Sequence, residues 1–321
     1  MKRNIALAFG VSLIGLMSCT SATADLQPFY VDSNDTYFCG YKNDKGEIVI
    51  PANKYVGCGS FSDGLAYVGM IKAMKIDGED SYKSLQGFID QTGDLIIPIE
   101  HEVFEGVDDE YKSFSEGLVV VYKDGKYGYM NKLRELVIPY HYDSAYDFSN
   151  GLASVRLDEK YGAIDKNAKV IVPIKFDWLG TYSDGLAMYS ESNHWDDGSR
   201  YGFIDKLGNI AIKAKWDDAN HFSEGFATVR VGDYDSGKWG VIDKLGNYVV
   251  KPKYDAPAIQ TWSDAYDFDD DSYKNGKINM YEYTDPSRPQ SSSIKRYTID
   301  TKGKVIEQRF YANWDEVIEK F

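Results

Sequence analysis

One phrase recurs along nearly the whole of this chain: an aromatic-Gly step, a short apolar strand, an Asp-x-x-Gly turn and a second apolar strand. It reads as Tyr201-Gly202-Phe203-Ile204-Asp205-Lys206-Leu207-Gly208 and as Trp239-Gly240-Val241-Ile242-Asp243-Lys244-Leu245-Gly246, with looser copies around Gly87, Gly128 and Gly162. The glycines from Gly87 to Gly240 stand 41, 34, 40 and 38 residues apart. A unit this small cannot hide its apolar side alone, so the period restricts the fold to copies that lean on one another.

Each unit parses into three strands, A, B and C. Strand A follows a Phe-Ser-x-Gly phrase, as in Phe222-Ser223-Glu224-Gly225, and then alternates apolar and polar from Ala227 to Arg230, the signature of a strand with one buried face. Copies stand at Phe61, Phe114, Phe148 and Tyr182, with a degraded one at Trp262. Strand B carries the aromatic-Gly step, where a missing Cβ lets a neighbouring backbone or ring lie against the strand. The B to C connection fits a type I turn followed by a left-handed residue: Asp accepts N–H bonds at its start and Gly supplies positive φ at its end. Arg134 and Ala168 stand where that Gly is expected, which predicts strain or a different shape at two turns. Strand C is β-branched and closes on Pro, as in Val137-Ile138-Pro139, and an aromatic-Asp pair such as Tyr142-Asp143 follows.

These phrases predict an all-β fold: tandem three-stranded antiparallel meanders forming an open superhelical or propeller-like array. About seven units fill one domain over residues 28–321, with degenerate ends suited to capping. Trp314, Val317, Ile318 and Phe321 fall at helical spacing after Asn313, which predicts a short terminal helix.

Residues 1–18 have the layout of an export signal, with Lys2 and Arg3 before an apolar run too short to span a bilayer. Leu16-Met17-Ser18-Cys19 resembles a lipoprotein signal in which Cys19 becomes the acylated first residue, followed by a tether over 19–27. Cleavage after Ala24 by ordinary signal peptidase is the alternative, giving a soluble periplasmic or secreted protein. Either cut takes the formal net charge from −14 to −16, which argues against nucleic acid as a partner, since a polyanion needs clustered Lys and Arg. A membrane is expected to be met only through the N-terminal lipid. Cys39 and Cys58 then form an even pair in an oxidising compartment, and a disulfide between them is expected, adding about 3 kcal/mol in the chain-entropy model.

Residues with chemistry are sparse. The four histidines, His101, His141, His194 and His221, read as loop residues, and the recurring aspartates such as Asp205 and Asp243 read as turn caps, so no catalytic residue, cofactor or metal is expected. Asp267, Asp269 and Asp271 are spaced as the first half of a calcium loop. Ser272 stands where that loop needs Gly and Ile278 where it needs a bidentate Glu, so the reading is a solvated acidic loop. The better functional signal is the set of A to B insertions near residues 71–84, 191–199, 232–237 and 284–293. Stacked in register, they emerge on one side and present Tyr82, His194, Trp195, Tyr234 and Tyr283 as a ligand face.

The succession aromatic-Gly, Ile-Asp, Lys-x-Gly, valine-rich strand, Pro and Tyr-Asp resembles the WG-repeat family of bacterial proteins. The resemblance is tightest over residues 87–255, although Trp239-Gly240 alone has the Trp and Gln86 precedes Gly87. It implies a β-rich tandem array with a binding or scaffolding role and no assigned chemistry. The expected function is a noncatalytic, envelope-associated scaffold, lipid-anchored to a bacterial membrane, whose partner is an unidentified protein or glycan. A structural spacer lipoprotein and an envelope hydrolase using loop carboxylates are the alternatives.

Overall fold

The computed structural model describes residues 26–33, 36–76, 79–99, 113–192, 198–234, 236–257, 272–285 and 293–312, with strands and turns and no helix among them. Cys19, His101, His194, Trp195, Asp267, Asp269, Asp271 and the stretch 313–321 lie outside the described residues, as does the side chain of Tyr82. Seven antiparallel sheets follow one another along the chain, each a meander whose strand order is its sequence order. Strands A, B and C are Gln27–Ser33, Thr36–Lys42 and Ile48–Tyr55 in unit 1, and Leu65–Ile76, Glu79–Asp90 and Leu95–Ile97 in unit 2. They are Leu118–Lys123, Lys126–Asn131 and Leu136–Tyr142 in unit 3, and Ala153–Leu157, Lys160–Ile164 and Val170–Phe176 in unit 4. Units 5, 6 and 7 contribute Leu186–Ser190, Tyr201–Asp205 and Ile210–Trp216; Phe226–Val231, Lys238–Asp243 and Tyr248–Tyr254; and Lys277–Tyr283, Ile294–Asp300 and Val305–Tyr311.

Among the described residues, four sheets gain a leading strand that pairs with strand A: Gly57–Cys58, Ser144–Ala145, Trp178–Ser183 and Asp218–Ala219. It is the direct continuation of the preceding unit's strand C, so the link between units is itself hydrogen-bonded. Strand C stops before its Pro in unit 2, at Ile97, but runs through Pro51, Pro139, Pro173 and Pro252 in units 1, 3, 4 and 6. In units 3 to 6 it runs on to the aromatic through a two-residue bulge: Tyr161 pairs with Phe176 while Ala163 pairs with Val172, and Tyr201 pairs with Trp216 while Phe203 pairs with Ile212. The bulge bends the strand over the Gly of strand B, where a Cβ on Gly202 would lie 2.5 Å from both Ala214 N and Ile212 O.

The core lies between sheets rather than inside one. Thr228 is 1% and Arg230 7% exposed, so strand A of unit 6 is buried on both faces, because a neighbouring unit packs on each side and the one-sided pattern read from its polar residues does not hold. At four seams the residue after the strand B Gly meets the Phe of the next unit edge to face: Tyr41–Phe61, Phe88–Phe114, Tyr129–Phe148 and Phe203–Phe222, with centroids 4.7–4.9 Å apart.

The rest of the Phe-Ser-x-Gly phrase also belongs to the seams. Each Ser donates its hydroxyl to the carbonyl before the next unit's Ser position: Ser62 to Phe114, Ser115 to Phe148, Ser149 to Tyr182, Ser183 to Phe222 and Ser223 to Tyr273, at 2.5–2.7 Å. The x residue accepts a backbone N–H from the next unit's turn: Gly117 donates to Asp63, Gly151 to Glu116, Gly225 to Asp184 and Gly276 to Glu224. Asp63, Glu116, Asp184 and Glu224 stand there at φ of 51–54°, a conformation that the turn also gives Asn150 and Asn275 and that costs each about 1–2 kcal/mol. Both devices stop at unit 7, where Lys274 and Asn275 replace the Ser and the acid.

The two turns lacking Gly keep the shape of the others, with Arg134 at φ 67° and Ala168 at φ 61° donating to Asn131 and Asp165 as Gly208 does to Asp205. Ala168→Gly should therefore raise the denaturation midpoint by the equivalent of about 0.5–1 kcal/mol, a calorimetric scan being the check. The Sγ atoms of Cys39 and Cys58 are bonded, with the Cα atoms 6.0 Å apart. The bond ties strand B of unit 1 to the leading strand of unit 2, across a seam next to the chain's first sheet.

Asp147, directly before Phe148, is half-buried; it accepts from the Ser113 hydroxyl at 3.1 Å while its Oδ1 meets no partner among the described residues. Burial pushes its carboxyl up to about 6, the Ser113 bond pulling back only in part. Because the folded value exceeds the ordinary 3.8, the stability this group contributes is complete below that value and is lost as pH rises through about 6. Asp147→Asn should stabilise the fold by about 1–2 kcal/mol at pH 7.5, seen as a higher melting temperature, and the gain should fade below pH 4. Melting curves across that range are the measurement.

Candidate binding face

Antiparallel meandering sorts the units into two ends. One end collects the Phe-Ser-x-Gly turns and the B to C turns; the other collects the A to B hairpins and the Asp after strand C. At this second end the aromatic-Asp pair works as a hinge pin. Asp143, Asp177 and Asp255 bind Lys126, Lys160 and Lys238, the first residues of strand B in the preceding unit, and Asp217 binds Arg200, directly before that strand. Asp143, Asp217 and Asp255 also accept N–H bonds from Asp158, Gly232 and Tyr283, in the hairpin of their own unit. The Lys126 bond holds the Asp143 carboxyl below the usual carboxylate range.

The hairpins differ in length. Units 3 and 4 turn tightly at Asp124-Gly125 and Asp158-Glu159, each with two successive positive φ values. In unit 2 the insertion near 71–84 is no loop: strands A and B simply continue, placing Tyr82 opposite Ala73. In units 5, 6 and 7 the described residues of the insertions, 191–192, 198–199, 232–234, 236–237, 284–285 and 293, lie outside the strands. Tyr234 is 77% exposed. Tyr283 ends its strand opposite Ile294, and burial, then the nearby Asp255 carboxylate, push its hydroxyl upward.

Around Tyr234 the structure assembles residues the sequence did not single out. The Arg230 guanidinium lies 5.6 Å from the Tyr234 ring and 6.0 Å from the Trp239 ring. It donates to Gly232 O at 2.8 Å and to Asp218 Oδ2 at 3.3 Å, which fixes its plane. Beneath it, burial and the Asp218 charge push the Tyr201 hydroxyl up to about 12, Arg230 opposing them. The neighbouring hairpin adds a serine chain, Ser192 Oγ to Ser199 Oγ at 3.1 Å and Ser190 Oγ to Ser192 O at 2.8 Å. Arg230 sits at an ordinary strand position, so only a period-2 count of the buried strand could have flagged it.

Chemically this end offers stacking surfaces, a fixed guanidinium and hydroxyls. The described histidines, His141 in strand C of unit 3 and His221 in the turn before strand A of unit 6, belong to different units. Among the described residues no group of three His, Cys, Asp or Glu could hold a metal ion.

The model of a family described as WG containing repeat matches residues 40–70, 109–127, 127–161, 161–195, 201–234 and 239–271, more than half of the chain. No curated protein sequence matches it. Among solved structures, the chain is similar to Hsv2p of Kluyveromyces lactis, with 10% identity, 77% of this chain and 75% of that chain covered, and a TM-score of 0.40. It is also similar to the dihydro-heme d1 dehydrogenase NirN, with 13% identity, coverage of 91% and 74%, and a TM-score of 0.40. TolB from Acinetobacter baumannii follows, at 13% identity, 66% and 58% coverage and a TM-score of 0.34.

Proposed function

The chain belongs to the family of WG containing repeats, and on that premise we propose that it is a noncatalytic binding or scaffold protein of a bacterial cell envelope. It recognises a protein or a glycan through the A to B hairpin end. The observation that carries this reading is the unequal use of that end: units 3 and 4 close it with two-residue turns, whereas unit 6 spends six residues, 232–237, and holds exposed Tyr234 against Arg230. A spacer would have no use for that difference. Export and acylation at Cys19 are part of the proposal, with soluble export after Ala24 as the variant that mass spectrometry of the mature N-terminus distinguishes.

The test is a glycan array together with cross-linking in envelope extract, using the mature chain and its Tyr234→Ala and Trp195→Ala variants. Loss of one retained ligand, by at least tenfold in affinity, is expected from one of the two variants at unchanged melting temperature. Binding that survives both substitutions would remove this face from consideration, and no retained ligand at all would favour the spacer.

A further inference from the structure

The B to C turns carry side chains that the fold does not require. In every unit the residue two after the opening Asp or Asn donates its N–H to that side chain, so the turn is the same throughout. The donor is Lys45, Thr92, Asn167 or Lys302 in units 1, 2, 4 and 7, and a leucine in units 3, 5 and 6. Leu133, Leu207 and Leu245 are 75–81% exposed, so their side chains serve neither the turn nor a core. Two thirds of the large apolar side chains exposed among the described residues stand in these turns or at the first two residues of strand C, directly after them. Single apolar residues scattered over a surface are ordinary; their collection at one end of every unit is not.

The turns form one row. A Cβ on Gly208 would lie 3.5 Å from Val172 and one on Gly246 3.0 Å from Ile212, so each turn sits on strand C of the preceding unit. Lys132, Lys166 and Lys244 hold it there by binding Asp63, Glu116 and Asp184 at 2.8–3.2 Å, which compensates three of the four Phe-Ser-x-Gly acids at this end. The chain also enters the array here. Gln27, the first residue of the first strand A, pairs with Lys42, directly before the B to C turn of unit 1. From Cys19 to Leu26 the backbone reaches at most about 25 Å, so a lipid on Cys19 brings this end, and not the hairpin end, to a bilayer.

We propose that the B to C turn end of the array rests on a lipid bilayer, with Leu133, Leu207 and Leu245 entering the headgroup boundary and the A to B hairpins facing away. The inference rests on the export and acylation given above, which put a bilayer, rather than a second copy of the chain, within reach of these leucines. Their contact is apolar and needs no anionic lipid, so zwitterionic vesicles are the probe.

Flotation of the unacylated mature chain with phosphatidylcholine vesicles is the first test. Measurable partition is expected by about 5 mM lipid, and Leu133→Gln/Leu207→Gln/Leu245→Gln should lower the partition coefficient by about tenfold or more at unchanged melting temperature. On the acylated chain, the fluorescence added by Leu207→Trp should be quenched by brominated lipid, and that added by Tyr234→Trp should not. Leucine-dependent partition of a chain that mass spectrometry finds unacylated in the cell upholds the proposal and removes the anchor. An acylated chain in which the two tryptophans are quenched alike keeps the anchor and overturns the proposal. No partition up to about 5 mM lipid, partition untouched in the triple variant, or self-association without vesicles that the triple variant abolishes in place of partition, overturns it as well.

Discussion

Gly202→Ala is expected to destabilise the array by about 3 kcal/mol, and Gly202→Val by more, although Gly202 has no positive φ and lies in the middle of a regular strand. The cost is steric. A Cβ there would stand 2.5 Å from Ala214 N and from Ile212 O, and both are backbone atoms of a bulge held between strand B and the following unit, so neither can swing aside as a side-chain tip would. Gly240→Ala should behave alike, its Cβ meeting Val250 O at 2.5 Å and Pro252 N at 2.7 Å. Gly46→Ala is the contrasting control: φ there is 78° but the space is open, so only the conformational term of about 1 kcal/mol applies. Urea midpoints of the three variants separate close approach from backbone strain. A Gly202→Ala protein within about 0.5 kcal/mol of the parent would mean that strand C yields, and the account of the aromatic-Gly step would fail.

That glycine also marks the limit of what the residues disclosed. An approach close enough to exclude a Cβ was legible from an isolated Gly in a β pattern; that the approaching group is the backbone of strand C was not. The bulge is set by pairing across two strands and leaves no local signature beyond a Pro that looked like a strand end. Seven meanders, their turns and the Cys39–Cys58 pairing partner were legible because each rests on neighbours in sequence or on a count of two. The leading strand Ser144–Ala145 was not, since two residues show no period. The Phe-Ser-x-Gly phrase could be seen to recur but not why, because its Ser and its acid act on the next unit, about forty residues away. The same holds at the binding face: Tyr234 announced itself by lying in an insertion, whereas Arg230 and Asp218, which orient beside it, sit in strands whose second face is covered only after stacking.

Phe222→Ala should cost about 4 kcal/mol and, unlike the glycine changes, should divide the unfolding transition in two. Phe222 is 1% exposed and fills the seam between units 5 and 6 against Phe203, Trp216, Met188 and Ile242. In a linear array, stability is the sum of units and of seams, so emptying one seam uncouples units 1–5 from units 6–7 as well as weakening them. Two natural seams show how the position can be rebuilt. Where strand B supplies a small residue, Ala163 or Val241, the next unit supplies Tyr182 or Tyr273 instead of Phe. Each of these tyrosines reaches further and donates to the carbonyl of its own B to C turn, Asp205 at 3.3 Å and Asp300 at 3.1 Å. The double variant Phe203→Ala/Phe222→Tyr copies that arrangement at the seam of units 5 and 6, with the Asp243 carbonyl in the equivalent place. It should lose about 1–2 kcal/mol less than the two single variants together, the coupling expected of residues sharing one cavity. Strict additivity would show that the Phe and Tyr seams are unrelated packings, and a single sharp transition in Phe222→Ala would show that the seams do not act as separable links.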